Sequence, residues 1–133
     1  MKLHPMLMFK GNASEALSHY TNSIPAAQVT DKRTRDDGTI ESANLVFGNN
    51  QLLMIDSPID QPFDFTPSFS LFVFFDDPVS LDLAYERLSK EGSVMMELGE
   101  YEFAKRYGWV SDKFGVCWQL CLPKAAQGSA GAH

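Results

Sequence analysis

One pattern of apolar runs, cap residues and helical stripes is written twice in this chain, and that repeat limits the possible folds more than any other feature. Leu3 to Phe9 is a short apolar run closed by Lys10-Gly11-Asn12, after which Ala13, Ala16, Leu17, Tyr20 and Ile24 fall at helical spacing. The reading is strand, turn, helix. Asn12 is placed to accept from the first free N–H groups, Glu15 is its capping-box partner, and Pro25 ends a helix predicted over 13–24. Further along, Phe69 to Phe75 is apolar, Asp76-Asp77-Pro78 supplies a cap and a first-turn proline, and Leu81, Ala84, Tyr85 and Leu88 form the stripe that Gly92 closes. The caps Asn12 and Asp77, and the tyrosines Tyr20 and Tyr85, each stand 65 residues apart in a chain of 133. Internal duplication is the economical explanation.

Each helix is followed by strand material. In the first half, Gln28 to Arg35 is polar and suits a sheet edge, and Thr39 to Phe47 and Gln51 to Asp56 are joined by the turn-forming Gly48-Asn49-Asn50. In the second half, Ser93 to Met96 is a short strand, Glu100 to Val110 a longer one, and Val116 to Leu122 alternates Val116, Trp118, Leu120 and Leu122 against Cys117, Gln119 and Cys121. The expected order is β-α-β-β-β, twice. Ser57 to Pro67, with Pro58, Pro62 and Pro67, reads as an extended linker. The expectation is a single α+β domain over 1–124, with module one at about 1–57, a linker at 58–67 and module two at about 68–122. Residues 125–133, a tail of Ala, Gly, Ser and Gln ending in His133, offer nothing to pack and are expected to be flexible.

Composition excludes several functions. Lys and Arg total 11 against 17 Asp and Glu, for a net charge of −6, the wrong sign for a protein that gains affinity by neutralising phosphates. Nucleic acid and anionic membrane surfaces are not expected partners. The longest strongly apolar stretch, Ser68 to Phe75, is far below the roughly 20 residues of a spanning helix, and the first residues do not open as a signal peptide does, so a cytoplasmic protein is expected. Cys117 and Cys121 would lie roughly 13 Å apart along an extended strand, too far for a disulfide, and read as buried thiols in a reducing compartment.

A duplicated β-α-β-β-β module of this length resembles the vicinal-oxygen-chelate superfamily. More narrowly, Met6-Leu7-Met8-Phe9-Lys10-Gly11-Asn12-Ala13-Ser14-Glu15-Ala16 and Gly108-Trp109-Val110-Ser111-Asp112-Lys113-Phe114-Gly115-Val116-Cys117-Trp118-Gln119 resemble its PhnB-like branch, whose members are often labelled 3-demethylubiquinone-9 3-methyltransferase domains. The resemblance covers residues 3–122 and departs at Ser18-His19-Tyr20, where relatives usually carry an aromatic pair; His19 reads as a solvated or edge residue. It implies the glyoxalase/bleomycin-resistance/dihydroxybiphenyl-dioxygenase fold: two modules side by side in a cupped, incomplete mixed β-barrel. It also implies a homodimer, with each cup built either within one chain or between the two.

Strand alternation then selects what faces the cup. If Leu3, Leu7 and Phe9 pack under the helix, His4, Met6 and Met8 face the other way. By the same parity Gln119 faces there with Cys117 and Cys121, while in the run Phe69 to Phe75 either Ser70, Phe72 and Phe74 or their odd neighbours do so, and the resemblance favours the even set. The expected lining is His4, Met6, Met8, Met54, Ser70, Phe72, Phe74, Trp109 and Gln119, with His4 and Gln119 as polar handles. The bland alternatives stay open: His4 as a strand-end residue, and the methionines and phenylalanines as ordinary core. Asp112 and Gly115 carry turn chemistry, with a guard at the cup rim as the functional reading of Asp112 or Lys113.

In metal-using members such as glyoxalase I, the resemblance implies one ligand on each of four strands, usually His or Glu. Those places fall here at His4, Met54 or a neighbour, near Ser68, and Gln119, too few donors for a borderline divalent ion. No metal and no cofactor is therefore expected, with His4 or Asp56 the residues that would overturn this. The function expected is metal-independent binding of an apolar or aromatic small molecule. The alternative is a metal-dependent lyase or dioxygenase of glyoxalase type. Methyl transfer ranks last, because no glycine-rich strand-to-helix loop is present to hold a nucleotide-like cofactor.

Overall fold

A computed structural model describes residues 1–124; the tail 125–133 lies outside the described residues. The elements run β1 (Met6–Phe9), α1 (Ala13–Ser23), β2 (Gln28–Thr34), β3 (Ile40–Phe47), β4 (Asn50–Asp56), β5 (Ser70–Phe74), α2 (Pro78–Ser89), β6 (Ser93–Tyr101), β7 (Ala104–Ser111) and β8 (Cys117–Leu122). The β-α-β-β-β order is thus written twice. The chain divides into two compact units between Phe63 and Asp64. Each holds one open, four-stranded mixed sheet, ordered β1-β4-β3-β2 in the first and β5-β8-β7-β6 in the second. In both, the first strand runs parallel to the last and every other pairing is antiparallel.

In the first unit, α1 lies across β2, β3 and β4 with Ala13, Ala16, Leu17 and Tyr20 buried. Beneath it are Leu7, Phe9, Ala43, Leu45, Leu52 and Met54, each no more than 2% exposed. Burying such side chains is worth about 1.5–3 kcal/mol apiece for the larger ones, which is why so short a helix holds. The polar strand β2 is an edge, and Gly48 turns the β3–β4 hairpin with φ +64°.

Asp56 organises this unit. Its carboxylate is fully buried, and Oδ1 accepts from the backbone N–H of Gly11 (2.9 Å) and Ala13 (3.0 Å), while Oδ2 accepts from Ile40 N–H (2.8 Å). The negative charge sits where the first turn of α1 presents free N–H groups. The expected cap, Asn12, makes no side-chain cap bond; Asp56, remote in sequence, takes the donors instead. In the second unit the local rule holds, because Asp77 Oδ1 accepts from Ser80 N–H at 2.7 Å.

The second unit places α2 over β6, β7 and β8, with Leu81, Ala84 and Leu88 buried against Val110, Trp118 and Leu120. Arg106 on β7 forms a two-pronged ion pair with Asp82 on α2, at 2.5 and 3.0 Å. A Cβ at Gly108 would stand 2.7 Å from the Tyr85 ring, so glycine lets the helix come down onto β7. At Gly92 a Cβ would stand 2.1 Å from the Ser111 carbonyl oxygen, so this glycine serves a close backbone approach, and Glu91 takes the positive φ of 62°.

Two expectations about strands are corrected. β6 and β7 form one hairpin whose turn is Glu102-Phe103, between the paired Tyr101 and Ala104, rather than a short strand followed by a long one. Glu-Phe carries no turn signature, and Gly99, which does, lies inside β6 near register shifts. At the N-terminus, β1 begins at Met6, so Leu3 and His4 precede the sheet and are exposed. Pro5 accepts from Leu53 N–H at 2.9 Å but has no N–H to extend the ladder.

Replacing Asp56 with alanine leaves the buried Ala13 and Ile40 donors unmet, with the more exposed Gly11 N–H left to water, and a loss of about 2–6 kcal/mol is expected at 1–3 kcal/mol per unmet buried group. Asp77→Ala removes one exposed cap and should cost about 1 kcal/mol. Urea unfolding of both variants checks the contrast; equal losses would mean that Asp56 does not anchor the first unit.

Candidate functional site

On a sheet, directly paired residues point to the same side. The face of the second sheet away from α2 therefore carries three rows. Ser70, Cys117, Ser111 and Ser93 form the first; Phe72, Gln119, Trp109 and Met96 the second; Phe74, Cys121, Tyr107 and Gly99 the third. This open face is aromatic. Phe72 stands 5.0 Å from Phe74 and 6.2 Å from Tyr107, ring centre to ring centre. Tyr107 meets Phe103 edge-on at 4.9 Å and Tyr101 at 5.5 Å, and Tyr101 stacks on Phe103 at 5.4 Å. Such offset and edge-on contacts fix ring positions beyond what area burial supplies.

A short polar chain crosses the rings. The Tyr107 hydroxyl donates to Gln119 Oε1, and Gln119 Nε2 donates to Ser70 Oγ at 2.8 Å. Burial, with Cys121 and Tyr101 adding to it, pushes the Tyr107 phenol above its ordinary pKa, so it remains a donor at neutral pH. Trp109 Nε1 is closed off from solvent and has no hydrogen-bond partner among the described residues. Trp118, one position from Gln119, points the other way, and its indole donates to Asp112 Oδ2 at 3.0 Å.

The expected lining divides. Ser70, Phe72, Phe74, Trp109 and Gln119 lie together on the open face of the second sheet. Met6 and Met8 lie on the face of the first sheet away from α1, paired with Leu53 and Ile55. Met54 does not join them: it pairs with Leu7 and Ala43, is fully buried, and packs beneath α1. The physical reason is Asp56, which must reach the N-terminus of α1 and so turns Met54, two residues earlier, to the same side. His4 is outside the sheet. The residues that sequence reading missed are Tyr107, Tyr101, Phe103 and Met96. Tyr107 was within reach, since it lies two positions before Trp109 on the same strand.

Neither candidate to overturn the metal reading, His4 or Asp56, stands with further donors, and among the described residues no three of His, Cys, Asp and Glu come together. All of the Asp56 acceptor sites named above are spent on backbone. Asp112 is likewise a structural clamp, 3% exposed, with Oδ1 accepting from Phe114 N–H (2.9 Å) and Val116 N–H (3.0 Å). Its turn chemistry is the role the geometry displays, while Lys113 stands exposed with Nζ 5.4 Å from the Phe114 ring centre. Cys117 and Cys121 are free thiols. Burial pushes both above the ordinary thiol pKa; at Cys117 a hydrogen bond with Ser111 pulls back against it, and Asp112 adds to it. The thiolate, the form that attacks or ligates, is thus disfavoured.

Two β-α-β-β-β units of this topology make the glyoxalase/bleomycin-resistance fold, and a glyoxylase/bleomycin resistance protein/dioxygenase domain from Frankia superposes with a TM-score of 0.70 at 18% identity, over 93% of this chain and 98% of that one. The chain belongs to the 3-demethylubiquinone-9 3-methyltransferase family, whose model matches residues 1–121. It is similar to a solved PhnB protein from Bacillus cereus, at 34% identity and a TM-score of 0.85 over 92% of this chain and 99% of that one. It is also 26% identical to protein YjdN of Escherichia coli, over 93% of this chain and 97% of that protein.

Raised thiol pKa values have a measurable sign. At pH 8 both cysteines should react with a thiol-specific disulfide reagent about tenfold or more slowly than free cysteine, and at ordinary rates once the chain is unfolded in guanidinium. Stability contributed by these groups is complete below the unfolded thiol pKa and is lost as pH rises toward the higher folded value. Fast labelling of folded protein at pH 8 would contradict the buried placement.

Proposed function

We propose that this chain is a cytoplasmic, metal-independent binding protein for an apolar or aromatic small molecule, held on the open face of the second sheet. The observation that carries the reading is a ring-lined surface, Phe72, Phe74, Tyr101, Phe103, Tyr107 and Trp109, crossed by the polar chain Tyr107–Gln119–Ser70. Binding sites of this kind join apolar area to a few fixed polar groups. Half-exposed Phe72 and Phe74, each at 46%, are what a ligand would cover.

The donor set does not suit the divalent ion that superfamily enzymes use. Gln119 is engaged by Tyr107 and Ser70, Met54 is under α1, and the thiols are held protonated. Methyl transfer draws no support from the helix N-termini, whose donors are met by Asp56 and Asp77 rather than left for a cofactor.

Thermal-shift screening of planar aromatic compounds tests the reading. A ligand at a hundred times its Kd should add about 2.7 kcal/mol to stability and raise Tm by several degrees. Phe72→Ala and Gln119→Ala should each weaken that shift. Absence of any hit over a broad aromatic panel, or near one equivalent of a transition metal in protein purified without chelator, would overturn it.

We further propose that the chain is a homodimer. Apolar side chains left uncovered within each unit, among them Met6, Phe72, Phe74, Val94 and Met95 at 40–52% exposure, support this. Light scattering after gel filtration should give twice the 14.9 kDa chain mass; a monomer at tens of micromolar would refute it.

A further inference from the structure

We propose that the aromatic face selects molecules that carry a hydrogen-bond acceptor beside a planar ring, and that Trp109 Nε1–H is the group that reads the acceptor; this rests on the small-molecule reading above. Three observations converge. Trp109 Nε1 is the one buried polar atom of that face without a partner among the described residues. An indole N–H is a donor only, so nothing but an acceptor can satisfy it. Beside it, Tyr107, Gln119 and Ser70 are committed to one another, and the Tyr101 hydroxyl donates to the Glu97 carbonyl.

Geometry sets the size of the occupant. Phe72, Gln119 and Trp109 stand side by side on neighbouring strands, so Phe72 and Trp109 are two strand spacings apart, about 10 Å. A fused two-ring aromatic laid over Gln119 spans that distance and brings a carbonyl on its end to the indole. Met96, the cross-strand neighbour of Trp109, is an unbranched thioether that can swing to admit it. A buried donor with no acceptor is costly, and a ligand that meets it recovers that cost, whereas a hydrocarbon of the same shape leaves it unmet.

Paired probes separate this from the parent reading. In calorimetry, 2-acetylnaphthalene should bind about five- to tenfold more tightly than 2-ethylnaphthalene, the span expected for one net hydrogen bond. Trp109→Phe keeps a ring and removes the N–H; it should bring the two affinities to within about twofold, leaving the hydrocarbon's affinity in place. A second readout needs no variant. The chain has two tryptophans, and in 15N-labelled protein the Trp109 indole proton should move downfield with the ketone and not with the hydrocarbon. Trp118, held by Asp112, serves as the stationary reference. Equal affinities on the native protein, a ketone preference kept in Trp109→Phe, or an unmoved Trp109 resonance overturns the inference while leaving aromatic binding intact. Failure of both probes to bind overturns the small-molecule reading and this inference with it.

Discussion

The first unit depends on one buried carboxylate. Asp56 ends β4, yet its two oxygens close the N-terminus of α1 and the start of β3 together, through Gly11, Ala13 and Ile40. Because an ionised group is tolerated inside a protein only when its acceptor sites are filled, this arrangement has no slack. It fixes which side of β4 meets the helix, and therefore sends Met54 into the core and Leu53 and Ile55 to the other face. In the second unit, the corresponding work is divided. Asp77 caps α2 locally, and Asp112 binds the loop before β8 to the Trp118 indole. Duplicated topology is here stabilised by unlike polar anchors.

The division has a consequence for the open faces. With Trp118, Leu120 and Val110 committed beneath α2, the alternate positions of β7 and β8 carry Tyr107, Trp109, Cys117, Gln119 and Cys121. Rings from β5 and from the β6–β7 hairpin join them, so that aromatic area collects around one amide. Gln119 is held from both ends, which orients its donor and its acceptor without any charge. The thiols on that face, Cys117 and Cys121, are buried, and burial pushes their pKa up, which disfavours the thiolate. The face therefore presents ring surface and, among the described residues, one buried N–H without an acceptor.

Much of the fold was legible in the sequence because its signals are local. The α1 stripe and Pro25 placed the helix end within a residue of Ser23, Asp77-Pro78 marked the start of α2, Gly48-Asn49 marked the β3–β4 turn, and the polarity of Gln28 to Thr34 marked an edge. The site was half legible. Gln119 follows from alternation along β8, whereas for Phe72 and Phe74 alternation left both parities of β5 open and the family resemblance chose between them. Met54 misled because Leu52, Leu53, Met54 and Ile55 are apolar on both parities, leaving nothing for alternation to choose between. The Glu102-Phe103 turn misled because its residues have no turn preference.

By itself, then, the sequence determined the repeated β-α-β-β-β order and the amphipathic helices, since periodicity and caps act over a few residues. Only tertiary structure decided which parity of β4 is buried, which carboxylate caps α1, and that Tyr107 and Ser70 meet at Gln119. Those outcomes rest on hydrogen bonds between residues 12 to 49 positions apart, where no local preference reaches and only the pairing of strands brings donor to acceptor.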